Sequence, residues 1–387
     1  MSMHASRNRF IAAVAVGAAT VVIAACSSST SSTGAAGSPS TSSTANSTAY
    51  PKLASYINSL EKRPVSIGIT QPIDATIPKG KTIAYIQCGS PACVVDGDSL
   101  QQAASALGWK VTRINAGLTA QTIQSAWQQA VLDHPDAVVT SGFSRALFNT
   151  QLAQLKAANI PVIDLTTADP PGDGLSAVFG YGPQWATQGK ILADYMLVNS
   201  GGKPINVLSV SSSAYPNLTM ISNAVISEIK AQCASCTTAT LDVPVTSIGT
   251  DLPSRITSYL SAHPNVNWVY VGFADMLSGV PSSLSSAGLS NVKIVTIDKT
   301  TATEEYMKNG QSLVMTAGFD VGEMMWRSVD YLARLWTGKS TAQDTAVNGL
   351  PLWIQAQANQ PAADPTTGYY PYVANYEELY KQLWGVQ

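Results

Sequence analysis

Residues 81–114 read KTIAYIQCGSPACVVDGDSLQQAASALGWKVTRI, and this stretch indicates the fold class. The apolar run at 83–86 is typical of a buried strand, and residues 98–107 carry apolar side chains at helical spacing. Gly108 ends that helix, and residues 111–114 are predicted to form a second strand. A strand, a helix and another strand in close succession predict parallel strands whose sheet is covered by helices on both faces.

The same alternation continues along the chain in two sets of about four strand–helix units, separated by Asp-Pro-Pro-Gly-Asp-Gly at 169–174. Residues 132–139 and 261–269 resemble each other, since each ends a helix, contains a His-Pro pair and enters a strand. Chance similarity of one type of junction is the alternative. With the strand spacing, the pattern predicts an α/β fold of two doubly wound, Rossmann-like lobes.

The N-terminus has the layout of an export signal. Arg7 and Arg9 precede an apolar run at 10–25, and Cys26 is followed by a Ser/Thr-rich tract. Ile-Ala-Ala-Cys at 23–26 resembles a bacterial lipobox, so we expect residues 1–25 to be removed and Cys26 to carry lipid. Residues 26–49 would then be a flexible tether. The alternatives are an ordinary signal peptide with a chance cysteine, or an uncleaved anchor, although the run is shorter than the roughly 20 residues of a spanning helix.

Four further cysteines form two close pairs, Cys88 with Cys93 and Cys233 with Cys236. In an exported protein such pairs favour two disulfides, each of which would fix local geometry. A zinc site is the alternative, because Cys-x-x-Cys also suits zinc. It would require the two pairs to converge, and no third cluster of ligands supports it, so we expect no metal.

Composition and missing motifs argue against several classes of function. Net charge is −2, charged residues make up 12% of the chain and no basic stripe is present, so no nucleic-acid partner is expected. His134 and His263 precede prolines at the amino end of the predicted sheets and belong to different lobes. No G-x-S-x-G, P-loop or G-x-G-x-x-G lies in a strand–turn–helix context. We therefore expect neither an enzyme nor a cofactor.

Several short segments occur in an order that resembles the ribose-binding-protein-like, type I periplasmic substrate-binding family of ABC importers. They are Ile-Pro-Val-Ile at 160–163, Asp275-Met276 with Gly279, Ile-Val-Thr-Ile-Asp at 294–298, Glu-Glu-Tyr-Met-Lys-Asn-Gly at 304–310 and Val-Met-Thr-Ala at 314–317. The resemblance implies two lobes joined by three crossings, the first about 81–166 plus 320–350 and the second about 167–319 plus 351–387. A ligand would lie between lobes that close by hinge motion.

The resemblance also implies a function. It predicts a monomeric, lipid-anchored protein on the extracytoplasmic face of the cell membrane, which captures a small neutral molecule and delivers it to an ABC permease. A sensor that presents its closed form to a membrane receptor is one alternative, and a secreted enzyme is another. Ligands of open parallel sheets gather at the carboxyl ends of strands, so the residues that follow the strands are the candidates for contact.

Asp298 matches the aspartate of the family's Gly-Phe-Asp segment, which hydrogen-bonds ligand hydroxyls. A helix N-cap before Thr300 is the alternative role for it. The family's Asn-Asp-x-Met pattern can be aligned in two ways, one of which places Asp275 on the ligand and the other Phe273. Ser90 and Asn217 lie on two further loops of the expected cleft.

Polar groups that are frequent in the family are missing here. Thr166-Thr167 stands in place of Asp-Arg, no arginine follows Asn217, and Phe319 replaces a glutamine. Phe143, Phe273 and Phe319 are therefore either ligand contacts or core residues. Fewer charged donors and more aromatics favour a neutral ligand less polar than a pentose, although aromatic faces also stack on sugars and polyols.

Overall fold

The computed structural model describes residues 49–356, residue 359 and residues 370–386. The predicted signal peptide at 1–25, Cys26 and the tether up to residue 48 lie outside the described residues. Within the described part of the chain, no helix is both long and apolar enough to span a membrane.

The described residues form eleven α-helices and eleven strands. The helices are α1 (Pro51–Leu60), α2 (Pro91–Ala106), α3 (Ala120–Asp133), α4 (Asn149–Ala157), α5 (Gly182–Val198), α6 (Pro216–Gln232), α7 (Leu252–Ala262), α8 (Val280–Ser286), α9 (Thr301–Lys308), α10 (Val321–Thr337) and α11 (Tyr376–Trp384). The strands are β1 (Thr82–Cys88), β2 (Lys110–Gly117), β3 (Ala137–Ser141), β4 (Val162–Leu165), β5 (Leu175–Phe179), β6 (Asn206–Ser211), β7 (Thr237–Asp242), β8 (Trp268–Val271), β9 (Lys293–Ile297), β10 (Leu313–Ala317) and β11 (Gln355–Ala356).

The first lobe is built on a parallel sheet of order β2-β1-β3-β4-β5. Its central strands β3 and β4 are buried and mostly apolar because helices cover both faces, so neither face meets water. Trp127 of α3 and Phe148 stack beneath one face at 3.7 Å between ring centroids, while α2 and α10 cover the other. Each truncation of such a buried ring would cost about 3–5 kcal/mol.

The second lobe repeats this arrangement with a sheet of order β11-β10-β9-β8-β6-β7. Its strands are parallel except for the short β11, which pairs antiparallel with β10. In both lobes the chain order reverses beside one strand, between β1 and β3 in the first and between β6 and β8 in the second. The predicted α/β fold with two doubly wound lobes is confirmed.

Two parts of the predicted lobe boundaries need correction. β5 (Leu175–Phe179) pairs with β4 in the first sheet, so the first lobe extends beyond residue 166. α11 was expected on the second lobe, within 351–387, but it packs on α10 of the first lobe. Trp384 of α11 stacks on Trp326 at 5.4 Å, and its Nε1 donates to Asp330 Oδ1 at 2.6 Å.

Side chains in the first turns of α5 form hydrogen bonds with segments of the chain that pass between the lobes. The Gln188 side-chain amide donates to the carbonyl of Gly318 and accepts from its N–H, each at 3.0 Å. One turn earlier, Gln184 accepts from Tyr181 N–H at 3.0 Å and donates to the carbonyl of Val347 at 2.8 Å. Two glutamines therefore fasten three segments of the chain, at Tyr181, Gly318 and Val347, to one helix of the second lobe.

Candidate functional site

A cavity lies where the two chain reversals face each other. The volume of this cavity is about 210 Å³. The first lobe contributes residues that follow β1 and β3, and the second lobe contributes residues that follow β6, β8 and β9. This is the place that parallel-sheet topology assigns to a ligand, because loops fan apart on both sides of a reversal.

All seven residues predicted to contact a ligand line this cavity. They are Ser90, Phe143, Asn217, Phe273, Asp275, Asp298 and Phe319. The fold therefore brings together side chains that are widely separated in the sequence, and their contact with a ligand stays a prediction.

Direct hydrogen bonds cross the cleft. Ser90 Oγ of the first lobe donates to Asp275 Oδ2 of the second at 2.9 Å. Asn217 Nδ2, at the start of α6, donates to the carbonyl of Thr166 at 3.1 Å. The Ser90 hydroxyl also accepts from Ala92 N–H at 3.3 Å, so the residue that caps α2 is the one that reaches the other lobe.

Asp298 follows β9 in a left-handed backbone conformation, with φ at 64°. A Cβ at Gly318 would approach Asp298 Oδ1 to 3.0 Å, so glycine is needed beside it. The alternative role as helix cap is wrong, because Thr300 caps α9 and accepts from Thr303 N–H. Burial, together with the charge of Asp275, raises the pKa of Asp298 to about 7.

A third carboxylate in the cavity, Asp96, was missed by the sequence analysis. Asp96 is buried in α2 and accepts from Ser141 Oγ at 3.2 Å. Burial raises its pKa to about 8, and the charges of Asp298 and Asp275 add to that rise. The helix was predicted to begin at residue 98, whereas Ser90 and Pro91 start it a full two turns earlier. An N-cap serine followed by proline was the available signal.

Aromatic rings form much of the remaining wall. Phe273 meets Tyr215 edge to face at 6.2 Å, and Phe319 meets Trp185 in the same way at 4.9 Å. Phe143 and Phe319 are 6% and 5% exposed, so both belong to the core as well as to the lining. The two roles proposed for these rings are therefore compatible.

Lys299 and Tyr370 lie at one side of the cavity. Lys299 Nζ is 4.1 Å from the centre of the Tyr370 ring, and the Tyr370 hydroxyl donates to Glu304 Oε2 at 2.7 Å. Burial lowers the pKa of Lys299 to about 8, although Glu304 acts in the opposite direction. The lysine therefore belongs to a small polar group with Tyr370 and Glu304.

Both predicted disulfides are present. Cys88–Cys93 joins the end of β1 to the first turn of α2, and both residues line the cavity. Cys233–Cys236 joins the end of α6 to the start of β7. The zinc alternative for these cysteines is therefore wrong, and the described residues contain no group of three or more potential metal ligands.

Residues 75–340 match the family model of the periplasmic binding protein domain. No curated protein sequence matches the chain closely enough to indicate common ancestry.

Solved structures are similar in fold. A sugar transporter subunit of an ABC system from Rhodobacter sphaeroides is 20% identical with a TM-score of 0.62, over 73% of this chain and 99% of that one. A glucose-galactose binding protein from Geobacillus stearothermophilus is 17% identical with a TM-score of 0.64, over 73% and 100%. An ABC solute binding protein from Agrobacterium vitis, bound to α-D-tagatopyranose, is 17% identical with a TM-score of 0.63, over 75% and 99%. At these identities the likeness concerns the fold.

Proposed function

The chain belongs to the periplasmic binding protein domain family, and from that premise we propose that it is a solute-binding protein of an ABC importer. It binds a small hydroxylated molecule of the sugar or polyol class between its lobes and delivers it to a permease. The observation that carries this proposal is the convergence of seven predicted contact residues on one interlobe cavity.

The chemistry of the lining supports a hydroxylated ligand. Asp275 and Asp298 present carboxylate oxygens, which accept hydrogen bonds from ligand hydroxyls. Phe143, Phe273 and Phe319 present ring surface against which the C–H face of a sugar packs. Ligand bonds to both lobes would add to direct cross-cleft hydrogen bonds such as those of Ser90 and Asn217, so binding favours the closed form that a permease recognises.

A screen of sugars and polyols by thermal shift, followed by calorimetry, tests the binding role. Replacing Asp298 should weaken any bound member roughly 10- to 100-fold, because hydrogen bonds to a charged group are worth about 1.5–3 kcal/mol. Both Asp298→Ala and Asp298→Asn are needed, since asparagine tolerates the left-handed backbone better.

Asp242→Ala is the matched control, because Asp242 also ends a strand of the second lobe but lies outside the cavity, where it accepts from Ser213. Unchanged affinity in both Asp298 variants would remove Asp298 from the site. No stabilisation by any member of a broad panel would count against the binding function itself.

We also propose that the protein is held on the extracytoplasmic face of the membrane through lipid on Cys26. The basic and apolar residues before Cys26 and the Ser/Thr-rich residues after it support this anchoring. Metabolic labelling with a fatty acid should mark the wild type and not Cys26→Ser. Equal labelling of the two, or wild-type protein found free in the medium, would refute the anchor.

A further inference from the structure

Two parts of the chain lie outside the residues that the family model matches, and these parts contact each other. The N–H of Ile354 donates to the carbonyl of Leu60 at 2.9 Å, and Trp353 Nε1 donates to the carbonyl of Glu61 at 3.1 Å. The part before the matched residues and the part after them therefore meet where the chain passes from α10 to β11.

The earlier of these two parts is anchored on both lobes. Its helix α1 packs on α5 of the second lobe, where Ile57 is buried. Further along, the carbonyls of Ile67 and Gln71 accept from Nη2 of Arg327 and of Arg334, each at 2.6 Å. Both arginines are buried in α10 of the first lobe, each in an ion pair within that helix. The short link between the two anchors therefore joins the lobes in addition to the three crossings that the family resemblance implies.

Arg63 lies in this link, which comprises residues 61–66, and it contacts the later part of the chain. Arg63 Nε donates to the carbonyl of Tyr372 at 3.0 Å, and its Nη2 donates to the carbonyl of Pro371 at 2.8 Å. The guanidinium also lies 5.3 Å from the centre of the Trp353 ring, which meets the Tyr372 ring edge to face at 5.8 Å. A planar guanidinium can bind two neighbouring carbonyls at once, which a single ammonium group cannot do in the same geometry.

The segment that Arg63 holds belongs to the wall of the cavity. Tyr370 and Tyr372 both line the cavity, and both are buried. The N–H of Tyr372 donates to Asp320 Oδ2 at 2.7 Å, and Asp320 is the N-cap of α10, two residues after Gly318. Arg63 therefore fixes the carbonyl of a residue whose ring borders the cavity and whose N–H binds a crossing between the lobes.

We propose that residues 61–66 are a strap across the hinge and that Arg63 is a positioning residue of the binding cavity, which holds the tyrosine wall at 370–372 in place. The effect on binding rests on the proposed function, whereas the effect on the wall follows from the contacts of Arg63 alone. The cleft can open fully only if the wall moves with the strap or if the bonds of Arg63 break.

Hydrogen–deuterium exchange of the full chain without ligand tests the wall directly. Arg63→Met keeps the apolar stem and removes every donor, so the amides of Tyr372 and Glu323, which both donate to Asp320, should exchange about tenfold faster. Arg63→Lys should lie between this variant and the wild type. Lys62→Met is the matched control, since it removes a neighbouring exposed charge, and it should exchange like the wild type.

Two results of the exchange experiment would overturn the inference. One is exchange at Tyr372 in Arg63→Met that equals the wild type. The other is faster exchange throughout both sheets together with a lower urea midpoint, because Arg63 would then support the stability of the whole fold and not the position of the wall.

Calorimetry with D-glucose, D-galactose and D-glucitol adds a binding readout. For a probe that binds the wild type, affinity should fall about fivefold in Arg63→Met and stay within about twofold in Lys62→Met. Unchanged affinity in Arg63→Met would remove the positioning role and leave the proposed function standing. If neither these probes nor the broader panel bind the wild type, the proposed function fails, and exchange at Tyr372 still decides whether Arg63 fixes the wall.

Discussion

The disulfides Cys88–Cys93 and Cys233–Cys236 close loops of similar length, five and three positions along the chain, in very different surroundings. The first lies at the carboxyl edge of its sheet, where it borders the cavity. The second precedes β7 and so lies at the amino edge of the other sheet. The same covalent bond therefore positions a loop that lines the cavity in one lobe and fastens an ordinary helix–strand turn in the other.

The difference arises from what each loop contains. Between Cys88 and Cys93 lies Ser90, which caps α2 and donates to Asp275 of the opposite lobe. Between Cys233 and Cys236 lie Ala234 and Ser235, and neither lines the cavity. Removal of either disulfide should therefore lower the free energy of unfolding, whereas only removal of Cys88–Cys93 should also lower the affinity for ligand.

The largest effect is expected from Cys88→Ser/Cys93→Ser. Ligand affinity should fall about tenfold, since the freed loop must be ordered whenever the lobes close, at about 1–2 kcal/mol per residue fixed. The free energy of unfolding should fall by about 2 kcal/mol, as for any short closed loop. Calorimetry and urea unfolding measure the two quantities. Affinity equal to that of the wild type would mean that the loop is ordered without its disulfide.

Ser90→Ala should have a smaller effect on affinity, about fivefold, because one hydrogen bond across the cleft is worth about 1 kcal/mol. Loss of the helix cap should lower the free energy of unfolding by about 1 kcal/mol. Combined with the cysteine replacements, it should add less than its separate effect, because both changes act on one loop. Fully additive losses of affinity would show that the disulfide and the Ser90 hydroxyl affect ligand binding independently.

Cys233→Ser/Cys236→Ser is the matched control and should have the smallest effect on binding. The free energy of unfolding should again fall by about 2 kcal/mol, while affinity stays within about twofold of wild type. If affinity fell as far as in the first double variant, global stability and not loop position would explain both results.

The alternation of strands and helices could be predicted because short apolar runs and helical spacing are local properties of the sequence. Most of the cavity lining could be predicted from this alternation, since Asp298 directly follows β9 and Asp275 lies in the loop after the neighbouring strand β8. Asp96 could not be placed in this way, because its contribution depends on where α2 begins. Ser90 sets that start from outside the apolar pattern.

The lobe boundaries were less predictable for a different reason. The Pro/Gly-rich segment 169–174 predicts a division between lobes before β5, yet β5 pairs with β4 because it meets the free edge of the first sheet. The lobe on which α11 packs depends on the stacking of Trp384 on Trp326, a contact between distant parts of the chain. Neither the pairing of β5 with β4 nor the packing of α11 on α10 can be predicted from a local sequence pattern.

If the lobes rotate against each other, the glutamines of α5 also restrict where the segment after β10 can bend. Gln188 fixes both backbone polar groups of Gly318, so this crossing can bend only beyond it, at Phe319 and Asp320. Atoms beside an axis travel little, whereas those at the end of a long lever arm travel far. In the proposed binding cycle, Phe319 would therefore stay beside the ligand while the lobes open and close, and the Ser90–Asp275 pair would report directly on whether the cleft is open.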